Sequence, residues 1–411
     1  MEDSRQVAYG WMVTILLALM WGGVGLNRLG IAYLMPKIVP QFHFALWQVG
    51  IIISGLSMTW AISSYVGGYF ADRVGRKKVM VPAFLLTSVF TMLTGLAGGF
   101  WSLLLIRELT GLGDGVGWQA GESIISDNLP YRYWGIAQTI FSGGYTLVGA
   151  GVGAFVMTRL AEAWSWQGAF VVIGIYGLVV GLILLFVLDP KRERVRPEQM
   201  TAREHLQGYV EMFRQGKFWL ATAIQMLGVA WLTGFSGFAA LFLTKVQHVS
   251  LVQVGSLLSV WGLVGFGGML LLGWVSDRIG RRPVLAGAGL INGVLLLLLS
   301  HTVMPLGALF VLLAISGICG YSVIPISAAT VLNELVNPRD KAKAMGVANG
   351  TSVIIGTFVF PIVEGFVASA GGLPSAIALV GVIFLLIFPL ALILGESRRQ
   401  APLATGAAVS E

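Results

Sequence analysis

The amino-acid sequence predicts an all-α membrane protein with twelve transmembrane helices, arranged as two six-helix pseudo-repeats around a central cavity. The composition is 56% hydrophobic and 11% charged, which leaves too few charges for a surface that faces water. Apolar runs of about 20 residues recur, long enough to cross the hydrocarbon core of a bilayer as helix. A charged phrase also repeats about half the chain length apart.

The apolar runs are separated by short polar turns, and there are twelve of them. They cover approximately residues 11–33, 47–71, 78–97, 101–126, 135–160, 167–188, 218–244, 251–276, 283–300, 305–332, 342–369 and 374–395. The first run has no small-residue cleavage pattern, so we expect it to be an uncleaved span rather than a signal peptide. An even number of spans places both termini on the same side of the membrane.

The positive charges indicate the orientation. With both termini in the cytoplasm, 21 of the 26 Lys and Arg residues fall on the inner side, as the positive-inside rule requires. The net charge of +7 therefore reflects membrane topology and gives no reason to expect a nucleic-acid partner. We expect a multi-pass protein of the cell membrane that works as a monomer in the lipid bilayer.

One long charged segment divides the spans six and six. It runs from Asp189 to Lys217 and predicts a linker at the cytoplasmic surface. The domain organisation is then an N-terminal half at 1–188, the linker at 189–217, a C-terminal half at 218–397 and a cytoplasmic tail at 398–411. Two similar halves around a central site are typical of secondary transporters.

The repeated phrase reads GYFADRVGRK at 68–77 and GWVSDRIGRR at 273–282, an offset of 205 residues. A cluster of positive charge that stops translocation would explain the arginines but not the matching aspartates. Glycine permits close helix approach, and an aspartate at a helix end can pair with arginines of a tight turn. We predict a gating role for both copies, through Asp72, Arg73, Arg76, Asp277, Arg278 and Arg281.

Both phrases resemble the signature loop of the major facilitator superfamily, and RELTGLG at 107–113 is similar to a motif of its fourth helix. The resemblance covers essentially the whole chain and implies alternating access by rocking of the two halves. NRLGIAYLMPKI at 27–38 and GLGDGVGWQAGESIISDNLP at 111–130 resemble the anion:cation symporter branch, which carries organic anions with protons.

Three observations bear on which subfamily of the superfamily the chain resembles. The branch commonly has Asp-Arg in helix 1, whereas this chain has Asn27 and Arg28. The Gly-Pro pair of drug/proton antiporters is missing from the fifth span. The Asp-Gly-x-x-x-Asp pattern of aromatic-acid porters is missing from the first span, which argues against that subfamily.

Two arginines lie at membrane depth, Arg28 in the first span and Arg107 in the fourth. An arginine there costs about 2.5–3.5 kcal/mol on insertion scales, so it should face the bundle interior. Two guanidiniums beside a cavity match the oxygens of a carboxylate. The alternative is that each arginine pairs with a protein acid or a backbone carbonyl and holds helices together. Their counterparts in the second half are Gly234 and Leu313.

Asp114 lies seven residues after Arg107, about 10 Å along the helix and on nearly the same face. We expect Gly111 to leave open space between them and Asp114 to carry or sense a proton, the alternative being a structural acid. Glu122, nearer the inner end, is a candidate inner relay or gate. The alternative, which is more common for such a residue, is that it pairs with a basic loop. Glu364 is expected at the outer surface.

Aromatic and amide side chains complete the candidate substrate site: Tyr33, Trp118, Tyr321 and Asn349, with Trp60, Trp231, Trp261 and Tyr145 as further candidates for the cavity wall. Packing and interfacial belts are the alternative for the aromatic residues, and helix-to-helix bonding is the alternative for Asn349.

No phosphate-binding loop, metal-ligand cluster or nucleophile-base pair is present in the sequence, so we expect no enzyme activity, no cofactor and no metal. The leading hypothesis is import of a small organic anion with protons. The alternative is a facilitator or proton-coupled exporter of a neutral or amphipathic small molecule, and a non-transporting receptor is the remaining class.

Overall fold

A computed structural model describes residues 2–186, 213–336 and 341–395. Most of the predicted linker, up to residue 212, and the predicted tail at 398–411 lie outside these ranges. Within them the chain is helical and contains no strand. The helices are α1 Glu2–Phe42, α2 Leu46–Val74, α3 Arg76–Thr94, α4 Phe100–Asp114, α5 Gly117–Asn128, α6 Trp134–Gly144, α7 Gly153–Ala163, α8 Trp166–Leu184, α9 Gly216–Lys245, α10 Leu251–Ile279, α11 Arg281–His301, α12 Leu306–Pro325, α13 Leu332–Leu335, α14 Lys341–Ser352, α15 Phe360–Leu385 and α16 Ile387–Leu394.

Ten of the described helical segments are long and apolar enough to span a membrane. The predicted count of twelve depends on two places. The fourth predicted span is divided into α4 and α5 at Gly115 and Val116, which keep helical backbone angles, so it is absent from the ten. The segment at 344–394 is counted once, although the backbone at Gly372 leaves the helical region with φ 81°.

Three helical connections are π-helical, at Tyr145–Val152, Ile326–Val331 and Val353–Val359. They lie inside the fifth, tenth and eleventh predicted spans. Each joins two α-helical segments of the same span, so the span continues as a helix that is locally wider. Such widenings are found frequently at functional sites, because they change the direction of the side chains that follow.

The repeated phrase forms the same turn in each half. Gly75 joins α2 to α3 with φ 117°, and Gly280 joins α10 to α11 with φ 101°. Only glycine adopts these angles without strain. We use the predicted orientation to name the ends of the bundle: the end that carries these two turns is the inner end, and the opposite end is the outer end.

The two halves share a hydrophobic core at the outer end only. One cluster of buried side chains joins the outer part of the N-terminal half, including Tyr33 and Ile52, to residues throughout the C-terminal half, including Trp231 and Ile377. A second cluster is confined to the inner part of the N-terminal half, where Trp21 packs with α5 and α6. In the part of the chain that the structure describes, the halves therefore pack together at the outer end and share no core cluster at the inner end.

Glycines bring the halves together at the outer end. A Cβ atom on Gly50 of α2 would lie 2.2 Å from the carbonyl oxygen of Pro361 in α15. On the opposite side of the bundle, a Cβ on Gly255 of α10 would lie 1.8 Å from the hydroxyl of Thr158 in α7. These contacts leave no room for a side chain. The outer closure thus depends on backbone packed directly against its partner helix.

Candidate functional site

Arg107 is buried between α4 and α1, and its terminal nitrogens are occupied. Nη1 donates to the backbone oxygen of Asn27 at 3.0 Å and to its side-chain oxygen at 3.1 Å. Nη2 donates to the backbone oxygen of Arg28 at 3.5 Å. The guanidinium is 1% exposed. Arg107 therefore holds helices together, as in the alternative to carboxylate binding, because its donors bond to the first span at Asn27 and Arg28.

Arg28 differs from Arg107 in its partners. It is half-buried, its ring contact is with Trp60 at 5.3 Å, and its hydrogen bond to the Ser57 hydroxyl is long at 3.4 Å. The Ser57 hydroxyl donates in turn to the backbone oxygen of Thr357, at 3.3 Å, in the π-helical segment of the other half. A guanidinium has five N–H donors, so Arg28 retains donors for a ligand.

Asp114 is also buried at the end of α4, with 1% exposure. Neither carboxyl oxygen has a hydrogen-bond partner among the described residues. It faces the side chains of Thr87 and Asn27 and lies within electrostatic reach of Arg28 and Arg107. The predicted open space beside Gly111 is filled, because a Cβ there would lie 2.5 Å from the carbonyl oxygen of Leu56 in α2.

Tyr145 lies within electrostatic reach of Arg28, Arg107 and Asp114 and also of Tyr321, which belongs to an aromatic group of the second half. Tyr321 packs against Trp261 at 4.9 Å and against Trp231 at 5.5 Å between ring centroids. Tyr33 and Tyr145 are close enough to Tyr321 to interact with it electrostatically. Polar atoms buried without a partner in the described chain include the hydroxyls of Tyr33 and Tyr321 and the indole nitrogens of Trp60, Trp231 and Trp261.

The remaining candidates lie away from this group. Trp118 packs against Trp21 at 5.0 Å and Phe141 at 5.3 Å, in the inner core of the N-terminal half. Asn349 is exposed, and its side-chain oxygen accepts a hydrogen bond from Gln225 across α9 and α14. The structure therefore assembles Arg28, Arg107, Asp114, Tyr33 and Tyr321 but not Trp118 or Asn349.

Glu122 is partly buried on α5, toward the inner end. Its backbone oxygen accepts from Gln138 and from Ser126, and no basic residue is bonded to its carboxyl in the described part of the chain. The alternative that Glu122 pairs with a basic loop thus has no such contact in this conformation.

At the inner end, each copy of the repeated phrase has an arginine bonded within its own half. Arg76 pairs with Asp127 at the end of α5. Arg281 pairs with Asp277 at 2.6 Å and with Glu334 of α13 at 3.3 Å. The predicted cluster therefore braces each half internally in this conformation. The side chain of Asp72 lies outside the described set.

The other pair of predicted gating arginines stacks on aromatic rings instead. The guanidinium carbon of Arg73 is 4.2 Å from the ring centre of Tyr69, and that of Arg278 is 3.7 Å from the ring centre of Trp274. Both contacts span one helical turn at the same place in the repeat. The two halves reproduce the same inner-end arrangement with different aromatic residues.

Sequence reasoning missed Ser57, Thr357, Asp127 and Glu334. Thr357 acts through its backbone, so no side-chain pattern identifies it. Asp127 and Glu334 lie 207 residues apart, two positions away from the offset of the repeated phrase, and they differ in side-chain length. A search for acids at the ends of the equivalent fourth and tenth spans would have found both.

A bundle of long apolar helices with charges buried inside its first half is typical of a multi-pass membrane transport protein. The chain belongs to the Major Facilitator Superfamily, whose sequence profile matches residues 11–349 and, in a second overlapping match, residues 266–409. As a member of a transporter family it is not an enzyme.

Curated relatives include several transporters named for aromatic acids. The chain is 25% identical to a 4-hydroxybenzoate transporter of Acinetobacter baylyi over 76% of each chain. It is 24% identical to a gallate transporter of Pseudomonas putida over 77% of each chain. It is 27% identical to a gentisate transporter of Corynebacterium glutamicum, over 80% of this chain and 74% of the relative.

Solved structures share the fold. A bacterial homologue of the human lysosomal transporter Spinster superposes with a TM-score of 0.82 at 20% identity, over 96% of this chain and 99% of that chain. A mutant of the nucleoside transporter NupG superposes with a TM-score of 0.75 at 14% identity, over 94% and 98%.

The relatives also bear on the subfamily. The family assignment and the likeness to organic-anion transporters agree with the prediction. The missing Asp-Gly-x-x-x-Asp pattern of the first span was read as an argument against aromatic-acid porters, yet transporters named for aromatic acids are among the relatives.

Proposed function

We propose that the protein imports a small organic anion with protons by alternating access, with the carboxylate bound by Arg28. The observation that carries the proposal is the partly unsatisfied guanidinium of Arg28 at the junction of the two halves. Its position allows a substrate carboxylate to contact both halves at once. We place the protein in the cell membrane, as a monomer with both termini in the cytoplasm.

Arg107 has a positioning role in this proposal rather than the direct carboxylate contact expected from the sequence. Its bonds to the backbone of Asn27 and Arg28 fix the first span where Arg28 begins. A guanidinium whose backbone is held in place loses less conformational freedom when it binds a planar anion.

Asp114 is the proposed proton carrier. Burial makes the charged form of Asp114 costly, whereas Arg28, Arg107 and the side chains of Thr87 and Asn27 favour it, so the two forms are balanced in this site. When Asp114 is protonated, the positive charge of Arg28 is available to the substrate. When the proton leaves, the carboxylate of Asp114 competes with the substrate for the guanidinium and promotes release of the anion. We propose Glu122, further along the same inner path, as a relay for that proton.

The proposed substrate class is an aromatic carboxylate. Tyr321, Trp231 and Trp261 form a buried aromatic group in this conformation, which in our proposal faces the ring of the substrate. Their hydroxyl and indole groups, which have no partner among the described residues, suit ring hydroxyls or a second oxygen. The names of the relatives, 4-hydroxybenzoate, gallate and gentisate transporters, support the same class.

Proteoliposomes test the proposal directly. Uptake of labelled 4-hydroxybenzoate, gallate and gentisate is measured with an inward proton gradient, without a gradient and with a proton ionophore. We expect accumulation of at least one of the three acids that collapses with the ionophore. If none of these acids, nor an aliphatic sugar acid used for comparison, enters the liposomes, the anion proposal fails.

The alternative, transport of a neutral or amphipathic compound, is separated by the charge of Arg28. Arg28→Gln removes the charge and keeps a hydrogen-bonding side chain, and Arg28→Lys keeps the charge. Anion import requires loss of uptake in Arg28→Gln and partial retention in Arg28→Lys. Uptake of a neutral analogue, such as the methyl ester of an accepted acid, at the wild-type rate in Arg28→Gln would support the alternative.

A further inference from the structure

Glu364 of α15 is buried in a second place, far along the chain from the charges of the first half. It was expected at the outer surface, yet its exposure is 0%. Neither carboxyl oxygen has a hydrogen-bond partner in the part of the chain that the structure describes. A side chain that could accept several hydrogen bonds here makes none.

The surroundings of Glu364 are apolar. On α9 it faces Gly234, where a Cβ would lie 2.7 Å from a carboxyl oxygen of Glu364 and 2.4 Å from the ring of Phe360. Among the described residues, no charged or titratable side chain of α2, α9 or α15 acts on this carboxyl. The few charged residues of these helices, such as Lys217 and Lys245 of α9, lie at the helix ends.

The carboxyl lies beside the outer contact between the halves. Its neighbours on α15, Pro361 and Gly365, are the residues that pack against α2 at Gly50. Ile53 of α2 reaches α9, where it would contact a Cβ on Gly237 at 2.9 Å. We call the place where α2, α9 and α15 meet the outer seam. In this closed conformation α2 covers the groove between α9 and α15 that holds Glu364.

The charge state of Glu364 must follow the state of the outer seam. An ionised carboxylate buried without a partner in an apolar site is strongly disfavoured, so closure favours the neutral acid. When α2 moves away from α15, the groove opens toward the outer solution, where a glutamate is ionised near neutral pH. Closing the seam therefore takes up a proton, and opening it releases one.

We propose that Glu364 is a proton-binding site that links the pH of the outer solution to closure of the outer seam. Acid outside favours the closed seam, and alkaline conditions favour the open seam. In this proposal the proton enters and leaves on the outer side, because the carboxyl lies beside the outer seam. Its effect is on the conformational equilibrium, and it is separate from the proton proposed for Asp114.

The test measures the outer distance between the halves in the absence of substrate, so it does not depend on the proposed function. Spin labels are attached to cysteines at Leu96 and Val303, which are strongly exposed outer-end positions of the two halves. Cys319 is first replaced by serine in the full-length protein. The distance distribution in lipid nanodiscs is recorded from about pH 5 to about pH 9.

In the labelled protein without further substitutions, which we call the background, we expect the distance between the labels to change from short to long as the pH rises. Glu364→Gln, which resembles the protonated acid, should stay at the short distance throughout. Glu162→Gln, which removes an exposed outer acid paired with Lys37, is the matched control and should keep the shift. A pH-independent distance in the background, or an unchanged shift in Glu364→Gln, overturns the proposal.

Glu364→Asp provides a second route if the glutamine variant does not fold. The shorter side chain keeps the acid but withdraws it from Gly234, which changes the burial of the charge. The shift should remain with a changed midpoint pH. A midpoint identical to that of the background would show that the titrating group is elsewhere and would overturn the proposal.

Discussion

At the level of single residues, the two arginines of the first half have different partners. The terminal nitrogens of Arg107 are bonded to oxygens of the first span, whereas Arg28 makes one long hydrogen bond among the described residues. The sequence located both arginines and the acid Asp114. It left the roles of the arginines open, because a hydrogen bond to a backbone carbonyl about 80 positions away leaves no mark in the amino-acid pattern.

Replacing Arg107 by glutamine should destabilise the protein, because the carbonyls of Asn27 and Arg28 lose a charged donor in a buried site. Hydrogen bonds to charged groups contribute about 1.5–3 kcal/mol. We expect a clear fall in the thermal unfolding midpoint in detergent. Arg28→Gln is the matched control and should unfold close to the wild type while losing uptake; a larger fall for Arg28→Gln would contradict the assignment.

Arg28→Gln should reduce anion uptake at least about thirtyfold, because removing one partner of a buried charge pair costs about 2–5 kcal/mol in binding. The effect should appear mainly in the substrate affinity, measured by isothermal titration or by competition against a labelled acid. An affinity that is unchanged in Arg28→Gln would mean that the carboxylate binds elsewhere.

Asp114→Asn should uncouple transport from protons while leaving the site intact. The amide is nearly the same size as the acid and cannot lose a proton, so accumulation against a gradient should stop. Exchange of labelled for unlabelled substrate across the membrane should continue, since it needs no net proton movement. If accumulation driven by a proton gradient persists, Asp114 is not the coupling acid.

At the level of helices, the sequence predicted the membrane spans well, but it did not predict where the regular α-helix within a span is interrupted. The fourth predicted span is divided at Gly115, where a Cβ would lie 2.3 Å from the carbonyl oxygen of Trp60. The π-helical segment at Val353–Val359 interrupts another rod. Hydropathy reports the apolar length of a span, whereas these interruptions arise from close contact with a neighbouring helix, which hydropathy does not record.

Gly50→Ala should open the outer end. The added methyl group would meet the carbonyl oxygen of Pro361, a backbone atom that cannot move away without displacing α15. The distance between labels at Leu96 and Val303 should lengthen at every pH. Gly267→Ala is the matched control, since a Cβ there meets nothing within 4 Å. An unchanged distance in Gly50→Ala would mean that the seam adapts without opening.

At the level of the whole molecule, the two halves share structural features, but the charged residues of the site occur in one half only. The Gly75 and Gly280 turns repeat, and so do the arginine-aromatic stacks beside them. Arg28, Arg107 and Asp114 all belong to the first half. The second half supplies a neutral aromatic surface and has Gly234 at the position that corresponds to Arg28.

The repeated offset in the sequence was sufficient to predict the two halves, because the turn that joins each pair of spans requires glycine and recruits arginines. It was not sufficient to predict which end is closed. That property depends on the shared outer core, which is made of ordinary apolar residues with no distinguishing pattern.

The inner-end ion pairs should act within each half. In a double-mutant cycle of Arg281→Gln and Glu334→Gln, we expect a coupling energy in thermal stability of about 0.5–3 kcal/mol, because the two side chains are in direct contact. Arg281→Gln combined with Asp127→Asn should show additive effects, since Asp127 belongs to the other half. Strong coupling between Arg281 and Asp127 would instead indicate contact between the halves.

The anchoring of Arg107 has a consequence for how the protein can change over evolution or by design. Its acceptors include the main-chain oxygens of residues 27 and 28, which every amino acid carries. The scaffold therefore tolerates replacement of the side chain at position 28, and the recognition group can be exchanged while its support stays in place. Selection for a new substrate can therefore begin with a change of residue 28 alone, and that change should have little effect on the folding of the helix bundle.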